Sequence, residues 1–425
     1  MARRRRRDKK NLMLALLVTA AIALCLLLAV IFVFPDIFTG SVPGGSVYKK
    51  GESMISDFIA DGEEIRGVYI ATVSNINYPS SQGLTSEELC AELDGIIDTC
   101  KRVGFNTVVF QVRPASDSFY ESTVYPASAY ISGTQGDEPD IDILQELTDR
   151  AHAEGIAVIA WVNPLRVTSS GTDVSRLAIN NPARMHLEYC VEYGGALYLD
   201  PALDGVRETV ARGCAEIASG YEVDAILFDD YFYPYPKDGK EFNDSASFDA
   251  YKGELSRDDW RRENINMLVE ECHDAVKAVD KYCLFGIAPF GIWSNNNGFN
   301  GGSDTRGLDA YNDIYCDALA WAEGGYVDFL APQIYWSFDT SAAPYGVLAD
   351  WWSKALGETD VVLLTSNAGY RTSEWSDKNE LSRQIKYNRG LGYKGALIYG
   401  YASVENDENE IVACLSSAYA NENAH

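Results

Sequence analysis

Histidine is scarce in this chain, with four residues in 425, and no two cysteines form a CxxC pair. Without HExxH or clustered Cys and His, the usual ligand sets for zinc are missing. GxxxxGK[ST] and GxSxG are missing too, which removes the signatures of phosphate-loop and α/β-hydrolase chemistry. There is no internal repeat and no low-complexity tract. Nine cysteines are present: Cys25 lies in an apolar N-terminal run, and Cys90, Cys100, Cys190, Cys214, Cys272, Cys283, Cys316 and Cys414 read as core thiols, with one or two disulfides outside the cell as the alternative. Basic residues are also few beyond residue 34, where 28 face 61 acids and the net charge is −33. A surface this acidic repels polyanions, so nucleic acid is excluded as a partner. No cofactor and no metal is called for.

The N-terminus is the opposite in character. Residues 1–11 hold five arginines and two lysines against Asp8, and Leu12 to Phe34 follow without a charge. Twenty-three such residues suffice to cross a bilayer, and the basic flank stays on the cytoplasmic side. The expectation is a single-pass membrane protein with a basic cytoplasmic tail (1–11), a transmembrane anchor (12–34), a linker (35–62) and an extracytoplasmic domain (63–425). A cleaved signal peptide is the rival, although its apolar core would be shorter.

From Glu63 onward, apolar runs of strand length alternate with helical patterns. The runs are Arg66–Val73, Asn106–Arg113, Ala157–Leu165, Ala225–Phe232, Leu284–Gly291, Tyr326–Trp336, Val361–Ala368 and Gly395–Ser403. Eight strands alternating with eight helices predict an α/β domain, a single (β/α)8 barrel, with an open doubly wound sheet as the rival. Helix-to-strand connections are short, such as Gly104-Phe105 and Gly155-Ile156. Strand-to-helix connections are long, such as 114–139 and 166–202. That asymmetry belongs to a barrel carrying its site on the C-terminal rim.

The fourth run reads Ala225-Ile226-Leu227-Phe228-Asp229-Asp230-Tyr231-Phe232-Tyr233-Pro234, a buried strand that leaves the core at two acids and a run of rings. Rings stack on sugar faces, and carboxyls meet hydroxyls or the glycosidic oxygen. Period-2 alternation directs Asp229 inward with Ala225 and Leu227, making it the leading nucleophile or base, while Asp230 tunes it or binds a hydroxyl. Asp117, in the loop after the second strand, is the expected partner carboxyl. Arg113, Asn163, Arg166, Tyr231, Tyr233, Trp293, Gln333, Tyr335 and Trp336 are the expected substrate-binding residues. A solvated loop acid for Asp117, and rim salt bridges for the two arginines, are the plainer alternatives.

Several runs resemble the glycosyl hydrolase-like family ten domain of bacterial envelope proteins. They include Glu64-Ile65-Arg66-Gly67-Val68-Tyr69-Ile70-Ala71, Phe110-Gln111-Val112-Arg113-Pro114 and Ala160-Trp161-Val162-Asn163-Pro164-Leu165-Arg166. Others are Asp229 to Pro234, Trp260-Arg261-Arg262, Phe285 to Trp293 and Pro332-Gln333-Ile334-Tyr335-Trp336. The resemblance implies a TIM-barrel glycosidase acting outside the cytoplasm. One member resembles a division-site enzyme that cuts peptidoglycan strands already stripped of peptides. It therefore implies cell-wall glycan as substrate and cell-division or wall-synthesis proteins as partners. The chain departs from the family at Asn77 and Tyr78, where an acid and a tryptophan are usual, and in its apolar N-terminal run, where some relatives are lipoproteins. A glycan-binding barrel without turnover, and a hydrolase of an α-linked polysaccharide, are the alternative functions.

Overall fold

The computed structural model describes residues 53–420 apart from 238 and 297–300. The expected span at 12–34 lies outside the described residues. Among those described, no helix is long and apolar enough to cross a membrane.

Twelve strands occur in chain order: β1 (Ile65–Ile70), β2 (Thr107–Arg113), β3 (Ala157–Val162), β4 (Cys190–Tyr193), β5 (Ala196–Leu199), β6 (Ala225–Phe228), β7 (Leu284–Ile287), β8 (Phe329–Leu330), β9 (Gln333–Ile334), β10 (Val362–Leu363), β11 (Thr365–Ala368) and β12 (Gly395–Tyr399). All but β4 and β5 form one parallel sheet in the order β10-β8-β7-β6-β3-β2-β1-β12-β11-β9. β8 and β9 are two halves of one expected strand, interrupted at Ala331-Pro332, where proline cannot donate to the ladder. β10 and β11 are likewise two halves of the next. β8 pairs with β10 and β9 with β11, so the two ends of the order lie side by side. Ten segments thus occupy the eight strand positions read from the sequence, and the sheet curls until its ends meet.

A helix follows each position: Ser86–Val103, Ile143–Ala153, Asp204–Gly220, Arg257–Val279, Ala318–Gly324, Tyr345–Leu356, Glu380–Gly390 and Ile411–Tyr419. Local chemistry sets their ends. Thr85 and Glu88 form a capping box at Ser86, and Gly104 closes that helix at φ +90°. Ser256 caps the 23-residue helix after β6, with Asp258 and Asp259 in its first turn, where the helix dipole favours negative charge.

The barrel has two cores. Ala225 and Leu227 join Tyr69, Val109, Ile159, Trp161, Phe329 and Leu397 in the lumen. Ile226 and Phe228 pack outward against the helices. This is the phase that alternation predicts. Gly286 permits the tight lumen layer, because a Cβ there would lie 2.4 Å from the Phe329 ring.

The structure adds two elements to the sequence reading. The first is a helix, Met54–Asp61, inside the segment read as linker. Ile55 is buried against the lumen core, with Met54, Phe58 and Ile59 packed beside it. Ser53 Oγ donates to the carbonyl of Asp224, and the Met54 N–H donates to Asp224 Oδ1 at 2.7 Å. Burial of side chains this size contributes on the order of a few kcal/mol to closing the barrel base. The second is the antiparallel β4-β5 hairpin within the long connection after β3, bridged to the rim where Arg166 pairs with Tyr198.

Candidate active site

β6 ends at Phe228, and the next two residues carry the carboxyls to the C-terminal rim. A cavity of about 380 Å³ opens there, lined by Asp229, Asp230 and the rings of Tyr69, Trp161, Tyr231, Tyr235, Phe290, Tyr335, Trp336, Tyr370 and Tyr399. Gln333 and Arg371 complete its polar wall. Among the described residues, no other carboxyl lines this cavity.

Asp229 is buried and held by donors. Trp161 Nε1 donates to its Oδ2 at 3.0 Å, Asn163 Nδ2 donates to the same oxygen, and the Tyr231 N–H reaches Oδ1 at 3.2 Å. The orientation of Asn163 is imposed from behind. The backbone N–H groups of Thr72 and Val73 both donate to Gln111 Oε1 at 2.9 Å, leaving Gln111 Nε2 to donate to Asn163 Oδ1 at 2.6 Å. The Asn163 amide nitrogen must then face Asp229. Burial pushes Asp229 up to about 7; Arg166 opposes the shift and the charge of Asp230 adds to it.

Asp230 has a different shell. Tyr235 hydroxyl meets Oδ2, while Gln333 Nε2 donates to Oδ1 at 2.9 Å and to the Ala288 carbonyl at 2.8 Å. Burial raises this carboxyl as well, against both hydrogen bonds. Gly291 lets the chain after β7 approach this wall, since a Cβ there would sit 2.4 Å from the Gln333 carbonyl oxygen. Burial thus raises the proton affinity of both adjacent acids. Such a pair can supply both an acid and a carboxylate.

The rings form a wall facing the acids. Tyr335 and Tyr399 stack at 5.9 Å, and Tyr370 meets both edge-on. Tyr370 is 45% exposed, so this edge is open to a ligand. Arg371 Nη1 ties the cluster down by donating to the Tyr335 carbonyl at 2.8 Å.

The structure brings Asp229, Asp230, Tyr231, Gln333, Tyr335 and Trp336 together around the cavity. Asn163 and Arg166 stand just behind, the first on Asp229 and the second with its guanidinium 4.6 Å from the Tyr231 ring. The other four expected residues lie elsewhere. Pairing of β2 with β3 slips between Gln111 and Arg113, turning Arg113 out of the lumen phase. Its buried guanidinium lies 4.3 Å from the Tyr125 ring, against the helix that contains Gly213. Tyr233 falls beyond the end of β6, where alternation no longer applies. It is buried against Phe242 and Tyr315, with its hydroxyl accepting from Asn264. Trp293 stacks on Trp351 and donates to Asp317. Asp117 is buried within its own loop, where Ser128 and Gln135 donate to it; burial pushes it up to about 6 against those bonds.

Eight lining residues stand outside the expected set: Tyr69, Trp161, Tyr235, Ala288, Phe290, Tyr370, Arg371 and Tyr399. Tyr69 shares the lumen phase of Ile65, which strand alternation in β1 could have revealed. Tyr235 follows Pro234 in an irregular loop, and no periodic signal marks it.

Comparison with known proteins agrees with this geometry. The glycosyl hydrolase-like 10 family matches residues 64–381. Glycosyl hydrolase YngK of Bacillus subtilis (strain 168) is 39% identical over 363 residues, covering 83% of this chain and 71% of that protein. Glycosyl hydrolase DigH of Escherichia coli (strain K12) is 36% identical over 328 residues, covering 73% and 74%. Among solved structures, the PgaB (BpsB) glycoside hydrolase domain of Bordetella bronchiseptica has a TM-score of 0.54 at 14% identity, covering 84% of this chain and 98% of that one. The endo-1,4-beta-mannanase of Rhizomucor miehei has a TM-score of 0.54 at 10% identity, covering 84% and 94%. These two likenesses concern the fold alone. With a family match over most of the domain and a carboxyl pair in a ring-lined rim cavity, the chain belongs to the glycosyl hydrolase-like 10 family and is a glycoside hydrolase.

Proposed function

We propose that this protein is a membrane-anchored, extracytoplasmic hydrolase of cell-wall glycan, acting on peptidoglycan strands through Asp229 and Asp230. One observation carries the reading: a buried carboxyl pair faces a cavity walled by tyrosine and tryptophan, the chemistry a glycan chain needs. The basic tail and the uncharged run 12–34 support the anchor. The polypeptide arrives at Ser53 on the barrel base beside Asp224, whereas the acids follow the opposite end of the same strand. Cell-division or wall-synthesis proteins are the partners an extracytoplasmic location would offer.

The test is mass spectrometry of products after the full chain, in detergent, meets denuded and peptide-bearing peptidoglycan. Sugar fragments from denuded strands that disappear with Asp229→Asn support the reading. Intact strands after prolonged incubation refute it. Protease added to intact spheroplasts, degrading the domain but not the basic tail, checks the location. A second reading is a glycan-binding barrel without turnover. It is favoured by the lack of another carboxyl facing the pair among the described lining residues. Binding of strands without products would select it.

A further inference from the structure

The two acids are sequence neighbours at one strand end, and the rest of the described cavity lining, rings with Gln333 and Arg371, holds no further carboxyl. A two-carboxylate glycosidase needs its second carboxyl across the scissile bond, about 5–10 Å from the first. Neighbouring residues on one wall reach the same face of a sugar, so neither is placed to attack the anomeric carbon from behind. Among the described lining residues no carboxyl is left to act as the nucleophile, and the substrate can supply one. We propose that the site cleaves glycans of 2-acetamido sugars by participation of the acetamido carbonyl, with Asp229 holding the acetamido N–H and Asp230 exchanging the proton with the glycosidic oxygen. This rests on the glycan-hydrolase reading above and specifies its substrate class.

Hydrogen bonding separates the two roles. Each partner of Asp229 can only donate: an indole N–H, a backbone N–H and an amide NH₂ locked in orientation by Gln111. Such a shell favours a carboxylate. A carboxylate fixed in this way accepts one more donor, the acetamido N–H, and stabilises the cation that forms from it. Asp230 Oδ2 meets a tyrosine hydroxyl instead, which can turn from donor to acceptor. Asp230 can therefore keep a proton on Oδ2 by donating it to the hydroxyl, and the hydroxyl turns back to donate once that proton leaves.

The steps balance without any reagent beyond water. The acetamido oxygen forms a bond to C1 as the C1–O glycosidic bond breaks. The leaving oxygen keeps that electron pair and takes the proton of Asp230. The resulting oxazolinium ion keeps its N–H against Asp229. Water then adds to C1 on the face the leaving group vacated and loses its proton to Asp230. The C1 bond to the acetamido oxygen opens, restoring the acetamide. Configuration at C1 is retained, and Asp230 ends protonated as it began.

The experiment uses the full chain with three probes: denuded peptidoglycan strands, the same strands chemically de-N-acetylated, and the thiazoline analogue of N-acetylglucosamine. Expected results are cleavage with retention by NMR, at least a 100-fold loss of rate on de-N-acetylated strands, and competitive inhibition by the thiazoline. Asp229→Asn is expected to lower kcat at least 100-fold and to weaken thiazoline binding at least 10-fold while the fold persists by circular dichroism. Equal cleavage of both strand types without thiazoline inhibition would overturn the inference and leave the glycosidase reading intact. Inversion at C1 would do the same. No cleavage of either strand type would overturn both.

Discussion

Strand β6 carries a buried aspartate at each end, and the two ends have opposite designs. At the base, Asp224 is enclosed: Met54 N–H donates to Oδ1, while Val158 N–H and His152 Nε2 meet Oδ2 at 2.8 and 3.0 Å. Its bonds join three chain segments, and it stitches the N-terminal helix to the barrel. At the rim, Asp229 and Asp230 are as deeply buried but face an open cavity, with burial raising the proton affinity of both. One end uses a carboxyl to hold the fold, and the other keeps carboxyls where burial disfavours their charge. Asp224 and Asp229 each meet three partners, so the difference lies in whether the carboxyl faces a cavity that a ligand can enter.

The sharpest break in this comparison comes from exchanging Asp for Asn at each end. At the rim, Asp229→Asn should reduce glycan cleavage by about 10³-fold. It should also raise stability at neutral pH. A folded pKa of about 7, above the unfolded value near 4, means the folded state binds the extra proton between those values. Stability is therefore lost as pH rises through that window, and removing the group removes the loss. Thermal melts at pH 4 and pH 8 check this, with the variant gaining on wild type only at pH 8. At the base, Asp224→Ala should leave kcat nearly intact in the folded fraction. It should cost about 3 kcal/mol, because several buried donors lose their acceptor; urea denaturation measures it.

A substitution behind the rim gives an intermediate effect. Asn163→Leu deletes a donor to Asp229, which raises that carboxyl further. Cleavage should fall about 10-fold, and the acid limb of the pH–rate profile, expected near 7 in wild type, should move upward. An unchanged limb would mean that Asp229 does not set it. Tyr335→Ala, which removes half of the stacked pair with Tyr399, should raise KM several-fold with a smaller change in kcat.

The smallest effect belongs to His152. Burial lowers its pKa, but the hydrogen bond and charge of Asp224 outweigh burial and raise it. Its contribution is then full below about 6.5 and fades as pH rises through the higher folded value. The melting difference between wild type and His152→Gln should shrink from pH 6 to pH 9. A constant difference would place the role of His152 in packing alone.

How far the site was legible follows from where periodicity operates. Asp229, Gln333 and Tyr335 sit at or just past strand ends, where alternation and the pattern of long loops point to the rim. Arg113 was misplaced by a slip in β2 pairing that leaves no mark in the local sequence. Tyr233 and Tyr235 stand two residues apart, yet one is buried in a ring cluster and the other meets Asp230. The path of an irregular loop decides that, and composition does not record it. The helix Met54–Asp61 is hidden because its eight residues yield little periodic signal, and its apolar face makes sense only against the open base of a barrel.

The sequence by itself determined the alternation of strands and helices, the phase of β6 and the rim as the place of chemistry, because these depend on local period and loop length. Tertiary structure alone decided the partners of each carboxyl. It made Asp224 a clasp and Asp229 an acid facing a cavity, although both flank the same four-residue strand. The donors that other segments supply to these carboxyls lie 66 to 170 residues away in the chain, brought together only when the sheet closes.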